Sequence, residues 1–566
     1  MFDTLPQGAT ALSQWSWSQI EPYYHDLATR PLDRNNVSNF LMDWTRLSER
    51  VDEMQARLLV ATTLNTTDQE AERRYHTYLD EVYPAAEAAE QRLKEKLLGS
   101  GLEPAGFELP LQKMRTEAAL FRQANLPLLT EEHKLSAQYD RIIGAQTVEW
   151  AGQEVTLAQL QPVYQNPDRA QREQAWRLAA ERQLADREAI NGLWQNFLGL
   201  RQRIAVNADL GDYRAFCWQK LLRFDYTPAD CLRFHQAIEA EVVPAARRIY
   251  EKRRQRLGVN SLRPWDLEVD PLGRPPLRPF HNALELQTKS LAIFQRLDPQ
   301  LAAYFETMVN EDLLDLDNRK NKAPGGYCMA FAAVKRPFIF MNAVGLHDDV
   351  QTMLHEAGHA FHVFETNHLP YFQQLQVGEE FGEVASMAME WLAAPYLSAP
   401  GSFYNPAEAA RARLEHLERS ILFWPYMAVV DAFQHWVYEN PAAAMNPANC
   451  DAHWVALWQR FMPGLDWSGL EQELMTGWQR KLHIHQVPFY YVEYGLAQLG
   501  AVQVWRNALT DQAEAVASYR RALALGGTVS LPQLYATAGA KFAFDGPTLG
   551  SAINLIEETI AALEAV

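Results

Sequence analysis

Two histidines stand four residues apart in Leu354-His355-Glu356-Ala357-Gly358-His359-Ala360-Phe361-His362, with a glutamate directly after the first. A helix turns about 100° per residue, so positions i and i+4 share one face, a turn apart. Both imidazoles can therefore reach one metal ion. Glu356 is one residue round from His355, so its carboxylate flanks such an ion and does not bind it. A general base belongs there if it is to take a proton from an activated water. The competing reading is an amphipathic helix whose histidines are satisfied in a polar core, but burying them beside a carboxylate without a charge partner is costly. His362 lies roughly 10 Å along the axis from His355 at a 1.5 Å rise, so it reads as a packing residue. His347, His368 and His435 receive no role.

Two histidines leave a catalytic zinc one protein donor short. Glu379, Glu380, Glu383 and Glu390 are the downstream candidates. Glu383 opens Glu383-Val384-Ala385-Ser386, far enough beyond His359 for a helix end, a loop and an antiparallel return. Glu390, two turns on, shares its face and suits either an acceptor for a ligand imidazole N–H or a surface salt bridge. Glu379 and Glu380 read as an N-terminal charge pair. A second cluster is Lys481-Leu482-His483-Ile484-His485-Gln486-Val487-Pro488-Phe489-Tyr490-Tyr491-Val492-Glu493-Tyr494. Pro488 suits a first helical turn. Tyr494 shares a face with Tyr491 at i,i+3 and with Tyr490 at i,i+4. Phenol and imidazole donors that converge on a metal site stabilise an oxyanion, at ~3–4 kcal/mol for a well-placed donor. The plainer reading is an aromatic core stripe.

The elements that must position these residues are nearly all helices. Apolar residues recur at three- and four-residue spacing over 38–62 and 68–98, with a break at Gly99-Ser100-Gly101. Further helices are predicted over 109–125, 168–206, 227–257, 282–297 and 299–311. Beyond the histidine helix they are predicted over 379–392, 406–440, 451–480, 488–507, 511–525 and 547–565. Thr147 to Leu157 alternates around Ala151-Gly152 and predicts a short hairpin. Two more strands are predicted at 323–331 and 337–342, just before the histidine helix, where an exposed strand could hold a peptide or serve as plain scaffold. Asp348-Asp349 places negative charge at that helix's N-terminus. No internal repeat stands out. The fold class is mainly α with a small β-sheet beside the histidine helix.

Composition sets the bounds. The 566 residues carry a net charge of -18, which argues against nucleic acid and anionic membrane surfaces as partners. No apolar run is long enough to span a membrane, and Met1 to Pro6 lacks the pattern of a secretory signal. Cys217, Cys231, Cys328 and Cys450 are scattered and form no C-x-x-C pair, which fits a reducing cytoplasm.

His355-Glu356-Ala357-Gly358-His359, Glu383-Val384-Ala385-Ser386, His483 and Pro488 to Gly495 together resemble the oligoendopeptidase F and thimet oligopeptidase family of zinc peptidases. Gly325-Gly326-Tyr327 and the paired aspartates add to the likeness, which is most specific from about residue 320 to 500. The resemblance implies a two-lobed helical metallopeptidase with a deep central channel that admits short unstructured peptides. The expected division is an N-terminal helical lobe, 1–185, with the hairpin, and a catalytic domain, 186–566. By the same resemblance one Zn2+ is held by His355, His359 and Glu383, with Glu356 as base. His483 with Tyr491 or Tyr494 contacts substrate and oxyanion. The tyrosine register leaves His485 against His483, and Tyr490 against Tyr491, open. Glu390, Gly325, Gly326 and Tyr327 are further candidates around the metal or the substrate. The expected activity is endopeptidase cleavage. The rivals are a metallocarboxypeptidase or dipeptidyl carboxypeptidase using the same zinc site, and a peptide-binding protein without catalysis. Oligomeric state is not readable.

Overall fold

Helical periodicity governs the chain, and helices dominate the computed structural model, which describes residues 1–565. Local chemistry sets their ends. Asp68 accepts the backbone N–H groups of Glu70 and Ala71 and starts the helix Gln69–Thr77. Thr227 and Asp230 cap the helix Pro228–Ala237 reciprocally. Gly258, at φ 64°, ends Val243–Leu257.

Two long helical runs carry a feature absent from their periodicity. Each contains a five-residue π turn, Tyr78–Val82 and Ile238–Val242. The same short pattern accounts for both, Glu81-Val82-Tyr83-Pro84-Ala85-Ala86 and Glu241-Val242-Val243-Pro244-Ala245-Ala246. A proline ring inside a helix collides with the carbonyl four residues back, and a wider turn gives it room. The chain therefore carries this short pattern twice, a local repeat too brief to stand out from the helical periodicity around it.

The hairpin forms as its alternation predicts. β1 (Thr147–Trp150) and β2 (Gln153–Thr156) pair antiparallel around Ala151 and Gly152, whose φ values are 52° and 78°. Positive φ at both turn residues matches the twist of the strands. The second sheet has three strands: β3 (Leu314–Asp317), β4 (Tyr327–Phe331) and β5 (Arg336–Ala343). β5 is central, antiparallel to β4 and parallel to β3. β3 was not expected, because four residues of Leu-Asp alternation are too few to signal a strand alone.

Two expected helices differ. The run over 451–480 divides into Pro447–Phe461, a turn through Gly464 at φ 120°, the short helix Glu471–Met475 and a 3-10 turn. Pro488 also lies outside its helix, which begins at Tyr491, because Phe489 adopts φ 65°.

One core runs through the bulk of the molecule from Leu120 to Ile560, and a separate one lies among residues Phe2 to Met114. Ala56 and Val60 of the helix Val37–Leu64 pack with Phe331, Phe338 and Phe340 of the sheet. That seam holds the N-terminal helices over the end of the sheet that precedes the histidine helix. Among the described residues no helix is long and apolar enough to cross a membrane.

Candidate active site

The histidines lie on the helix His347–Thr366. Asp349 fixes its start by accepting the backbone N–H groups of Val344 and Leu346 at 2.9 and 2.7 Å. The return helix, Glu379–Ala393, crosses it at Gly358. A Cβ at Gly358 would lie 2.6 Å from Ser386 Cα, so the two backbones meet there. This crossing sits between the levels of His355 and His359 and brings Glu383 against both.

His355 Nε2 lies 3.2 Å from Glu383 Oε2, and His359 Nε2 lies 3.4 Å from the same oxygen. Two donors on a tetrahedral ion with ~2.1 Å bonds are ~3.4 Å apart. The three side chains therefore already have the spacing and donor types of a zinc site. Burial alone would lower the His355 imidazole, but hydrogen bonds to Glu383 and Glu390 outweigh it and hold it well above its usual value. Burial would raise Glu383, but His359 and His355 hold its carboxyl well below the usual range. The cluster thus retains a cation, and a metal competes with protons for the same atoms.

Further bonds lock the set. His355 Nδ1 lies 2.7 Å from Glu390 Oε1, and the other Glu390 oxygen meets His416 Nε2 at 3.0 Å. Ser386 Oγ donates to Glu383 Oε2 at 2.9 Å, and the Tyr490 hydroxyl donates to Glu383 Oε1. His416 carried no signal in the sequence, since only tertiary pairing brings it to Glu390.

Glu356 is buried, and its Oε2 has no hydrogen-bond partner. Burial raises its carboxyl, with the two histidines opposing. Gly326, at the entry to β4, passes so close that a Cβ would stand 3.5 Å from Glu356 Oε1. Gly325 takes φ 87°, and Asn342 Nδ2 donates to its carbonyl at 2.8 Å. The Tyr327 hydroxyl pairs with Thr63 Oγ1 at 2.6 Å, and its ring stacks on Phe340.

A cavity of about 800 Å³ opens over this floor. Gly326, Tyr327, His355, Glu356, His359, His362, Glu383, Tyr490 and Tyr494 line one side. Trp44, Asp52, Tyr78, Glu87 and Met114 of the N-terminal helices line the other. His483 Nε2 lies 3.2 Å from the Tyr494 hydroxyl, and its ring meets Tyr491 edge-on at 5.1 Å. Burial, then Lys481, pushes the His483 imidazole down to about 3, so it is neutral. Lys481 Nζ donates to the Tyr491 hydroxyl at 3.2 Å. His485 points elsewhere, fully buried and stacked between Tyr139 and Trp478.

Glu380 is not the simple N-terminal charge its position suggests. It is buried, accepts the Tyr226 hydroxyl and lies 3.4 Å from Arg223 Nε. Arg223 also donates to the Phe489 carbonyl at 2.6 Å and pairs with Glu493. Gln434 Oε1 accepts the Phe489 N–H at 2.7 Å. These contacts hold Phe489 in its left-handed turn and so set where Tyr490 points. Arg223 and Gln434 were missed because nothing local marks them.

A helical body whose cavity is floored by two histidines, a bonded glutamate and a free carboxylate has the make-up of a metal-dependent hydrolase. The chain belongs to peptidase family M3, whose model matches residues 163–551, and is a metalloendopeptidase. A structure of PZ peptidase A with an inhibitor is 26% identical, with TM-score 0.92, covering 100% of this chain and 99% of that one. A protein assigned as an oligoendopeptidase F is 27% identical, with TM-score 0.93 and 100% of both chains covered. Another so assigned, from Bacillus anthracis str. Ames, is 24% identical and shares the fold, with TM-score 0.88 over 100% of this chain and 98% of its own. No curated protein sequence matches the chain.

Proposed function

We propose that the chain is a zinc-dependent oligoendopeptidase that hydrolyses internal bonds of short, unstructured peptides. The observation that carries this reading is the convergence of His355 and His359 on one oxygen of Glu383, beside the unpartnered Glu356. His355, His359 and Glu383 would hold one zinc ion. Bound there, zinc would lower the pKa of a water and polarise the scissile carbonyl. Glu356 takes the proton of the attacking water and delivers it to the leaving amine. The Tyr494 hydroxyl donates toward the carbonyl oxygen as its charge grows, and His483 Nε2–H donates to that hydroxyl and orients it. Tyr491 braces His483, and Tyr490 holds the second oxygen of Glu383. Glu390 fixes the His355 ring. Gly325, Gly326 and Tyr327 shape the strand wall beside the substrate.

A carboxypeptidase needs a free cation for the substrate's terminal carboxylate. The lysines lining the cavity are engaged, Lys94 with Glu117, Lys113 with the carbonyls of Gln376 and Gly527, and Lys335 with the Asn367 carbonyl. That favours internal cleavage, as does the name of the oligoendopeptidase F neighbour. The proposed lobe at 1–185 contains the whole of the separate core from Phe2 to Met114. A cytoplasmic setting belongs to the same reading, supported by the free thiols of Cys217, Cys231, Cys328 and Cys450.

Digestion of a mixed peptide library with and without a zinc chelator, mapping every cut, tests the proposal. Internal cuts in short peptides that vanish with chelator and return with zinc are expected. Cuts confined to C-terminal residues or dipeptides, or indifference to the chelator, would overturn it.

A further inference from the structure

Away from the cavity, the helix Pro228–Ala237 carries Cys231 and His235 four residues apart. The helix Pro406–Glu439 carries Asp431 and His435 at the same spacing. Each pair therefore shares one face of its helix, and the two faces meet. Cys231, Asp431 and His435 each bring a donor atom to within 4.8 Å of the others. His235 Nε2 lies 2.8 Å from Asp431 Oδ2. All four side chains are at least nine-tenths buried, with exposures of 0%, 3%, 0% and 2% in sequence order.

Hydrogen bonding leaves this cluster incomplete. Asp431 Oδ1 and His435 Nε2 are shut away from solvent and have no partner. A buried polar atom without a partner costs free energy and calls for an explanation. His435 Nε2 stands 3.4 Å from Asp431 Oδ2. That contact is long for a hydrogen bond, and ~3.4 Å is the separation of two donors on a tetrahedral ion with ~2.1 Å bonds.

We propose that Cys231, Asp431 and His435 form a second metal site, distinct from the one that His355, His359 and Glu383 make, with His235 turning from its bond to Asp431 to become the fourth donor. One thiolate, two imidazoles and a carboxylate are four donors of the kind that select Zn2+. Four protein ligands leave no open position, so the metal is structural and ties the two helices together. Binding releases the Cys231 thiol proton, because the thiolate is the ligand. Arg214 Nη1 donates to His435 Nδ1 at 3.3 Å and also pairs with Glu439, so a metal on His435 Nε2 requires the ring to change tautomer and Arg214 to turn fully to Glu439.

The site lies beneath a consequential turn. The His435 ring packs on the Phe489 ring at 5.2 Å. Phe489, at φ 65°, directly precedes Tyr490. A metal that pins His435 therefore supports the floor on which the tyrosine segment rests.

The test uses the full-length protein, stripped of metal and reloaded with Co2+. The donors His355, His359 and Glu383 include no sulfur, so a thiolate-to-cobalt charge-transfer band in the near ultraviolet reports the second site. Wild type should take up about two equivalents and show the band, and a His355→Ala, His359→Ala double variant should keep about one equivalent and the whole band, as expected if each cluster holds one ion. Cys231→Ser should lose the band. If that variant fails to fold, the wild-type and double-variant spectra still decide. A single equivalent in wild type with no thiolate band overturns the proposal, as does a band that survives Cys231→Ser. A wild type with one equivalent and an intact band would instead strike the reading of the cavity site and leave this one standing.

Discussion

His355 Nδ1 and Glu390 Oε1 lie 2.7 Å apart, and this bond decides which nitrogen His355 turns toward Glu383. Burial opposes ionisation of Glu390, but its bonds to His355 and His416 hold its carboxyl below the usual range. A carboxylate can only accept, so Nδ1 keeps its proton, and the nitrogen that gives up its proton to a metal is Nε2, whose lone pair then faces the site. Glu390→Ala should therefore weaken metal binding about 10–100-fold, the usual loss when the group orienting a ligand histidine is removed. Competition for zinc against a chelator of known affinity measures this. Equal retention by the variant and the wild type would assign Glu390 to packing alone.

Glu356→Gln should leave the zinc content unchanged and lower kcat by about 10²–10⁴-fold, the range for loss of a positioned proton carrier. The amide keeps the shape of the side chain but cannot take the proton. Steady-state rates on metal-replete protein, with zinc measured on the same sample, test this. Near-normal turnover in a fully loaded variant would remove Glu356 from the chemistry.

Gly358→Ala should destabilise the protein and loosen the metal together. A Cβ there would stand 2.6 Å from Ser386 Cα, and backbone cannot swing aside as a flexible side chain can. Overpacking of this kind costs about 1–3 kcal/mol. Thermal unfolding of the metal-free protein isolates the packing effect. An unchanged Tm in that form would mean that the return helix shifts freely and does not fix Glu383.

The histidine pair was legible because it sits on a strongly periodic helix, where spacing alone decides which residues share a face, whereas Glu383 was one of four candidate glutamates and only the family resemblance singled it out. The hairpin was legible for a similar reason, since Ala151-Gly152 supplies its turn locally. The tyrosine segment was not. Its reading as one helix from Pro488 fails at Phe489, whose left-handed turn is imposed by Arg223 and Gln434 from distant parts of the chain. The choice between His483 and His485 was equally hidden. Both lie on the five-residue helix Leu482–Gln486, and only the aromatic partners Tyr139 and Trp478 draw His485 inward. β3 and His416 depended in the same way on partners remote in sequence.

Tyr490 and Tyr494 face the same cavity but are bonded differently, and this separates their predicted phenotypes. The Tyr490 hydroxyl donates to Glu383, whereas that of Tyr494 pairs with His483 Nε2 at 3.2 Å. Burial, then the charge of Glu383, raises both phenols well above their usual value, so each keeps its proton as a donor. On the proposed mechanism, Tyr494→Phe removes a donor to the developing oxyanion. It should lower kcat by about 10²–10³-fold, the cost of one such donor, with little change in KM or zinc affinity. Tyr490→Phe frees an oxygen of Glu383 and should act first on metal binding, so part of its lost activity should return as zinc is added. Rates measured across a zinc titration distinguish the two. If excess zinc rescues Tyr494→Phe while Tyr490→Phe is indifferent to it, the two roles are exchanged.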